Sequence, residues 1–145
     1  MLPSRILVAT DGSPAAKAAE EFAADMAVAQ HAGAVVVVTV IREHPSHVGV
    51  VPATAADVEA GEQLVKEAAT HVREVMGTDS IPIETRVFTA LSEAGAIVAE
   101  AHATGECSHI VMGARGRGGF ATLLLGSTSH QVMQASHCPV TIIRE

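Results

Sequence analysis

At 145 residues, 48% of them hydrophobic, with a net charge of −7, the chain is expected to form one domain, residues 1–145, with a full core. The acidic balance argues against nucleic acid or an anionic membrane as main partner. The longest apolar runs, such as residues 34–41, are far too short to span a bilayer, and the N-terminus shows no charged-then-apolar leader. Two cysteines, Cys107 and Cys138, make no disulfide framework, so inert buried thiols in a reduced, soluble, cytoplasmic protein are expected.

Arg5–Thr10 reads as a short apolar strand, followed by Asp11-Gly12-Ser13-Pro14, where Ser13 suits an N-cap and Pro14 the first helical position. The helix is expected to reach His31, with Ala18, Phe22, Met26 and Ala29 inward and Gly33 as its stop. Ala34–Ile41 is a wholly apolar second strand, which implies cover on both faces. Residues 42–52 read as a loop with two prolines and two histidines. Thr54 and Asp57 predict a capping box opening a helix to Met76, with Val58, Leu64, Val65, Ala68, Val72 and Val75 inward. Ile81–Thr89 is a third, edge-type strand with partial alternation. A helix over Ser92–Thr104, a strand over Ser108–Gly113, a helix over Ser127–Ser136 and a strand over Pro139–Ile143 complete the chain. Strands alternating with helices predict a single-domain α/β fold with a five-stranded parallel, doubly wound sheet.

The glycine-rich stretch from Gly113 to Ser129 carries the chemistry. Glycines let a backbone approach a ligand closely, and Gly126-Ser127-Thr128-Ser129 falls where a helix leaves its first N–H groups unpaired. Such a terminus binds phosphate readily. From Cys107 to Arg144 there is no Asp or Glu, only Arg115, Arg117 and Arg144, a basic island in an acidic chain. The Walker pattern is absent. A dinucleotide fingerprint forced onto residues 116–121 lacks the following βαβ unit and acidic residue. A phosphoacceptor receiver would need an aspartate ending the third strand, which here ends Val87-Phe88-Thr89.

The spacing G-x2-G-x9-G-S (Gly113, Gly116, Gly126-Ser127) resembles the ATP-binding subgroup of the universal stress protein family. The similarity extends along the whole chain, including Asp11-Gly-Ser at the first turn and Cys-Pro-Val before the last strand. It implies strand order 3-2-1-4-5, a Rossmann-like sheet of the adenine nucleotide alpha hydrolase type. Ligands of such sheets bind at the carboxyl ends where strand order reverses. By resemblance, Asp11 contacts the nucleoside with Thr10 lining the same turn, and Val40 contacts adenine. Met112, Gly113, Gly116, Gly126, Ser127, Thr128 and Ser129 surround the phosphates. Arg115 and Arg117 either pair with phosphate or are solvated. Thr39 stands where many relatives carry a histidine, and Thr128 where they often have valine.

These residues imply ATP as ligand, with Mg²⁺ as a possible companion, and a nucleotide-dependent regulatory module acting on an unidentified protein partner in the stress response. The alternatives are a slow ATPase or self-phosphorylating enzyme, for which no residue to orient water is evident, and a nucleotide-independent dimer. No catalytic residue is assigned. The eight histidines lack the paired spacing of a zinc site, and no metal ligands are assigned. Val140–Ile143 should be an apolar edge strand that needs cover, and the resemblance implies a homodimer through it. A bulky residue at Gly113 or Gly126 is expected to abolish nucleotide binding while leaving the helical signal intact.

Overall fold

A computed structural model describes residues 5–103, 108–114 and 125–144. In chain order the elements are β1 (Arg5–Ala9), α1 (Pro14–Gln30), β2 (Ala34–Arg42), β3 (His44–Ser46), β4 (Gly49–Val51), α2 (Ala55–Met76), β5 (Ile83–Ala90), α3 (Glu93–Ala101), β6 (His109–Gly113), α4 (Ser127–Ala135) and β7 (Val140–Ile143). The main sheet is parallel, in the order β5-β2-β1-β6-β7. With the β3–β4 hairpin left out of the count, this is the expected order 3-2-1-4-5.

Alternation along the central strands divides the core in two. Ile6, Val8, Val35, Val37 and Val111 face one side, packed with α1 and α2 residues such as Ala23, Ala27, Val65 and Val72. Leu7, Val36, Val38, Ile110 and Met112 face the other, with Ile97 and Ala101 of α3 and Val132 of α4. Two-sided burial is why β2 reads as an unbroken apolar run.

Three helix starts follow from side-chain caps. Ser13 accepts from the Ala16 N–H and Ser92 from the Gly95 N–H. Thr54 and Asp57 form the expected reciprocal capping box, whose bonds hold the Asp57 carboxyl below its usual range.

The inward face of α1 differs from expectation. Ala15, Ala16, Ala19, Ala23, Ala24 and Ala27 are buried with Glu20, whereas Phe22 is 41% exposed, Ala29 is exposed, and Ala18 and Met26 are half-buried. Small side chains let the helix lie close to the sheet, and the bulkier Phe22 is left outside. The end of α1 also differs: His31, at φ 51°, provides the left-handed cap in place of Gly33. Residues 44–51 are an antiparallel hairpin and not a plain loop. Its turn closes through the Ser46 hydroxyl, donating to the Gly49 carbonyl at 2.9 Å, with Gly49 at a φ of 128°. Pro45 obscured that hairpin by weakening the strand signal.

His109 Nε2 lies 2.7 Å from Thr141 Oγ1, across the β6–β7 pair. Burial holds its pKa below the ordinary 6.5. Between that lowered value and 6.5 the unfolded ring carries more proton than the folded one, so stability falls as the pH drops through this window. His109→Gln should therefore lose less stability than wild type between about pH 7 and about pH 5, read by urea denaturation. Equal losses would contradict this account.

Candidate functional site

β1 leads through α1 to β2 on one side and its neighbour β6 leads through α4 to β7 on the other, so the two connections diverge at the carboxyl ends of β1 and β6. Two backbone segments meet there. The first is the β1–α1 turn. Thr10 continues the strand by donating its N–H to the Val38 carbonyl at 2.9 Å. Asp11 Oδ1 accepts the Ser13 N–H at 2.9 Å, and Gly12 takes a φ of 78°, which favours glycine.

Thr10 itself points inward. It is 5% exposed, and its hydroxyl donates to Glu20 Oε2 at 2.7 Å while accepting the Gly12 N–H at 3.2 Å. Thr39 donates its hydroxyl to the Thr10 carbonyl at 2.8 Å, which explains why a threonine suits that position. Glu20, 3% exposed, also meets His71 Nδ1 at 2.9 Å. His71 Nε2 in turn lies 3.5 Å from Glu21. Sequence reasoning passed over Glu20, whose one signal was a carboxylate inside an alanine stripe at i, i+3, i+4 spacing.

The second segment joins β6 to α4. Gly113 ends β6 so close to α1 that an added Cβ would lie 2.9 Å from both the carbonyl carbon and the Cβ of Ala15. Ala114 donates to the Ile143 carbonyl at 2.8 Å and accepts the Gly126 N–H at 2.7 Å, so both ends of the connection are pinned together. Arg115, Gly116 and Arg117 lie outside the described residues. Gly126 is the N-cap of α4 and offers no side-chain cap. Ser127, at the first helical position, is exposed. Ser129 is buried, and its hydroxyl donates to the Gly113 carbonyl at 2.7 Å, tying α4 to β6. Thr128 donates to Glu93 Oε2 of α3 at 3.3 Å, a partner the sequence did not announce.

Of the remaining expected residues, Met112 is 5% exposed, opposite Ile142 of β7. Val40 is half-buried near the end of β2, packed against the α3–α4 side of the core. The structure thus brings Thr10, Asp11, Gly113, Gly126, Ser127 and Thr128 to one end of the sheet. Thr10 and Ser129 spend their hydroxyls on the fold. Among the described residues, no three His, Cys, Asp or Glu side chains are grouped as a metal would need.

Cys138 is disulfide-bonded, which corrects the expectation of a free thiol at that position. Its sulfur lies 3.6 Å from His102 Nε2. Cys107 lies outside the described residues.

The pattern of the universal stress protein family matches residues 3–144. The chain belongs to the universal stress protein family. It is 28% identical to the universal stress protein YxiE of Bacillus subtilis over 97% of this chain and 99% of that protein. A Thermus aquaticus universal stress protein is 32% identical over 96% of this chain and 97% of its own length. The fold matches that of the universal stress protein UspA from Lactobacillus plantarum, with a TM-score of 0.71, 25% identity and 99% of both chains covered. It also matches the Archaeoglobus fulgidus universal stress protein in complex with dAMP, with a TM-score of 0.71, 23% identity, and 99% of this chain and 98% of that chain covered. A further neighbour, a universal stress protein in complex with cAMP, has a TM-score of 0.72 at 24% identity, with 99% of this chain and 98% of that chain covered. Among the described residues no helix is long and apolar enough to cross a membrane.

Proposed function

We propose that this universal stress protein domain, residues 1–145, binds an adenine nucleotide at the β1–β6 switch point and acts as a nucleotide-dependent regulatory module in the stress response. The observation that carries this reading is the start of α4: a nine-residue helix whose N-cap is a glycine with no side-chain cap. Among the described residues, its first N–H groups therefore lack the N-cap side chain that Ser13, Thr54 and Ser92 give α1, α2 and α3. An anion satisfies such donors and meets the positive end of the helix dipole.

ATP, with Mg²⁺ as companion, is the ligand this reading takes first, and dAMP and cAMP in the fold's neighbours support an adenine nucleotide. In it, Gly126, Ser127 and Thr128 receive phosphate together with Gly113, and the family resemblance adds Gly116 and Arg115. Asp11, Val40 and Met112 flank the nucleoside. Thr10 and Ser129 contribute through the backbone, their hydroxyls being engaged elsewhere. Nucleotide occupancy regulates a protein partner only insofar as that partner distinguishes bound from free chains.

The same reading includes a homodimer. Among the described residues β7 pairs with β6 alone, and its four residues, Val140–Ile143, are uncharged and half-buried. An uncharged edge of this kind is ordinarily covered, and a second copy of β7 supplies matching backbone donors and acceptors. Native mass spectrometry of freshly purified protein tests both parts at once. Two chains, each carrying one adenine nucleotide, are the expected mass. Bare monomers that take up no added nucleotide would overturn the reading.

A further inference from the structure

The sequence from Cys107 to Arg144 contains no carboxylate, and the first turn of α4 has no acidic residue. The fold nevertheless brings one there. Glu93, in the first turn of α3, accepts the Thr128 hydroxyl at 3.3 Å. Thr128 is the second helical residue of α4, and α3 and α4 pack side by side. A carboxylate belonging to the chain is therefore fixed beside the amides that the nucleotide reading gives to phosphate.

Glu93 is well placed to stay there. It sits at the positive ends of two helices, its own and α4, which both favour negative charge. A phosphate bound to the first amides of α4 would share one helical turn with it. Two negative groups at that separation, partly screened from water, repel each other appreciably. The repulsion grows with ligand charge, and a free triphosphate carries roughly twice the charge of a monophosphate.

We propose that Glu93 is the specificity-determining residue of this site, selecting an adenine nucleotide with one phosphate over the free triphosphate. The proposal rests on the nucleotide reading above and adds to it a ranking of ligands. Glu93 acts as a resident anion: it leaves room for one phosphate on the helix end and penalises those that follow. A divalent cation on the triphosphate lowers its charge and so relieves the penalty.

The test is titration calorimetry with AMP and with ATP, in the presence of a chelator, on wild type, Glu93→Gln and Glu93→Lys. Wild type should bind AMP more tightly than free ATP. The ratio of ATP to AMP affinity should rise roughly tenfold in Glu93→Gln and further in Glu93→Lys. A selective change in that ratio is what a merely structural role would not produce, since loss of packing weakens both ligands alike. A ratio that does not move across the three proteins, with both ligands bound, overturns the Glu93 assignment and leaves the nucleotide site standing. If neither nucleotide binds any of the three, the site reading falls and the selectivity with it.

Discussion

Valine at Gly113 should destabilise the protein by about 3 kcal/mol, at the upper end of what overpacking costs, besides affecting any ligand. Even the first carbon of the new side chain would sit 2.9 Å from the carbonyl carbon and the Cβ of Ala15, and 3.0 Å from the Ala16 backbone nitrogen. These atoms belong to the first turn of α1, fixed by the Ser13 cap and the fixed φ of Pro14. No flexible side chain can yield. Either α1 lifts from β6, opening the core over Ile6, Val8 and Val111, or β6 shifts against β7. The structure thus changes the expectation that such a variant would keep its helical signal while losing nucleotide. Urea denaturation followed by circular dichroism reads the effect. A Gly113→Val protein as stable as wild type would show that the close approach of α1 and β6 is not required.

Glu20→Ala is the second large effect. It removes a carboxylate that accepts from Thr10 at 2.7 Å and meets His71 at 2.9 Å, leaving a void on the buried face of α1, which is otherwise built of alanines. Thr10 is only 5% exposed, so its hydroxyl loses its carboxylate acceptor where water has little access. Losing two such bonds should destabilise the fold by about 3 kcal/mol. Glu20→Gln, which keeps an acceptor for Thr10, should recover more than half of that. The β1–α1 turn that carries Asp11 should also loosen, because the Thr10 side chain receives the Gly12 N–H. Faster hydrogen exchange at Gly12 would report this loosening directly. Equal stability of Glu20→Ala and wild type would contradict it.

Both predictions depend on features that a reading of the sequence handles unevenly. Strands were legible where burial is two-sided, as in β2, and helix starts where a hydroxyl precedes the first turn, as at Ser13, Thr54 and Ser92. The strand order followed from the family resemblance, and the parallel, doubly wound sheet from the alternation of elements. The inward face of α1 was not legible because alanine lies on several sides of it. Choosing Phe22 as inward favoured size, whereas close packing against the sheet favours the smallest side chains. Thr10 and Ser129 lie at the end of the sheet, yet their hydroxyls turn toward Glu20 and the Gly113 carbonyl. Side-chain direction at a turn depends on partners far off in sequence, and Glu20, Thr39 and Glu93 are such partners. The disulfide at Cys138 was missed for the same reason, since pairing depends on which segments become neighbours. It also removes the reduced-cysteine ground on which the cytoplasmic expectation partly stood. The expected roles of Arg115 and Gly116 lie outside the described residues.

The central claim is that the uncapped start of α4 holds the phosphate of an adenine nucleotide. The most direct measurement is native mass spectrometry of wild type and Ser127→Asp, prepared side by side and titrated with nucleotide. Ser127 is exposed at the first position of α4, where a carboxylate suits the helix dipole and should leave stability unchanged or slightly raised, by about 0.5 kcal/mol. The same carboxylate would occupy and repel at the helix end. Wild type should carry one adenine nucleotide per chain, and Ser127→Asp, folded and assembled as wild type, should bind it at least roughly tenfold more weakly. Equal nucleotide occupancy in the two proteins would place the ligand elsewhere and contradict the account.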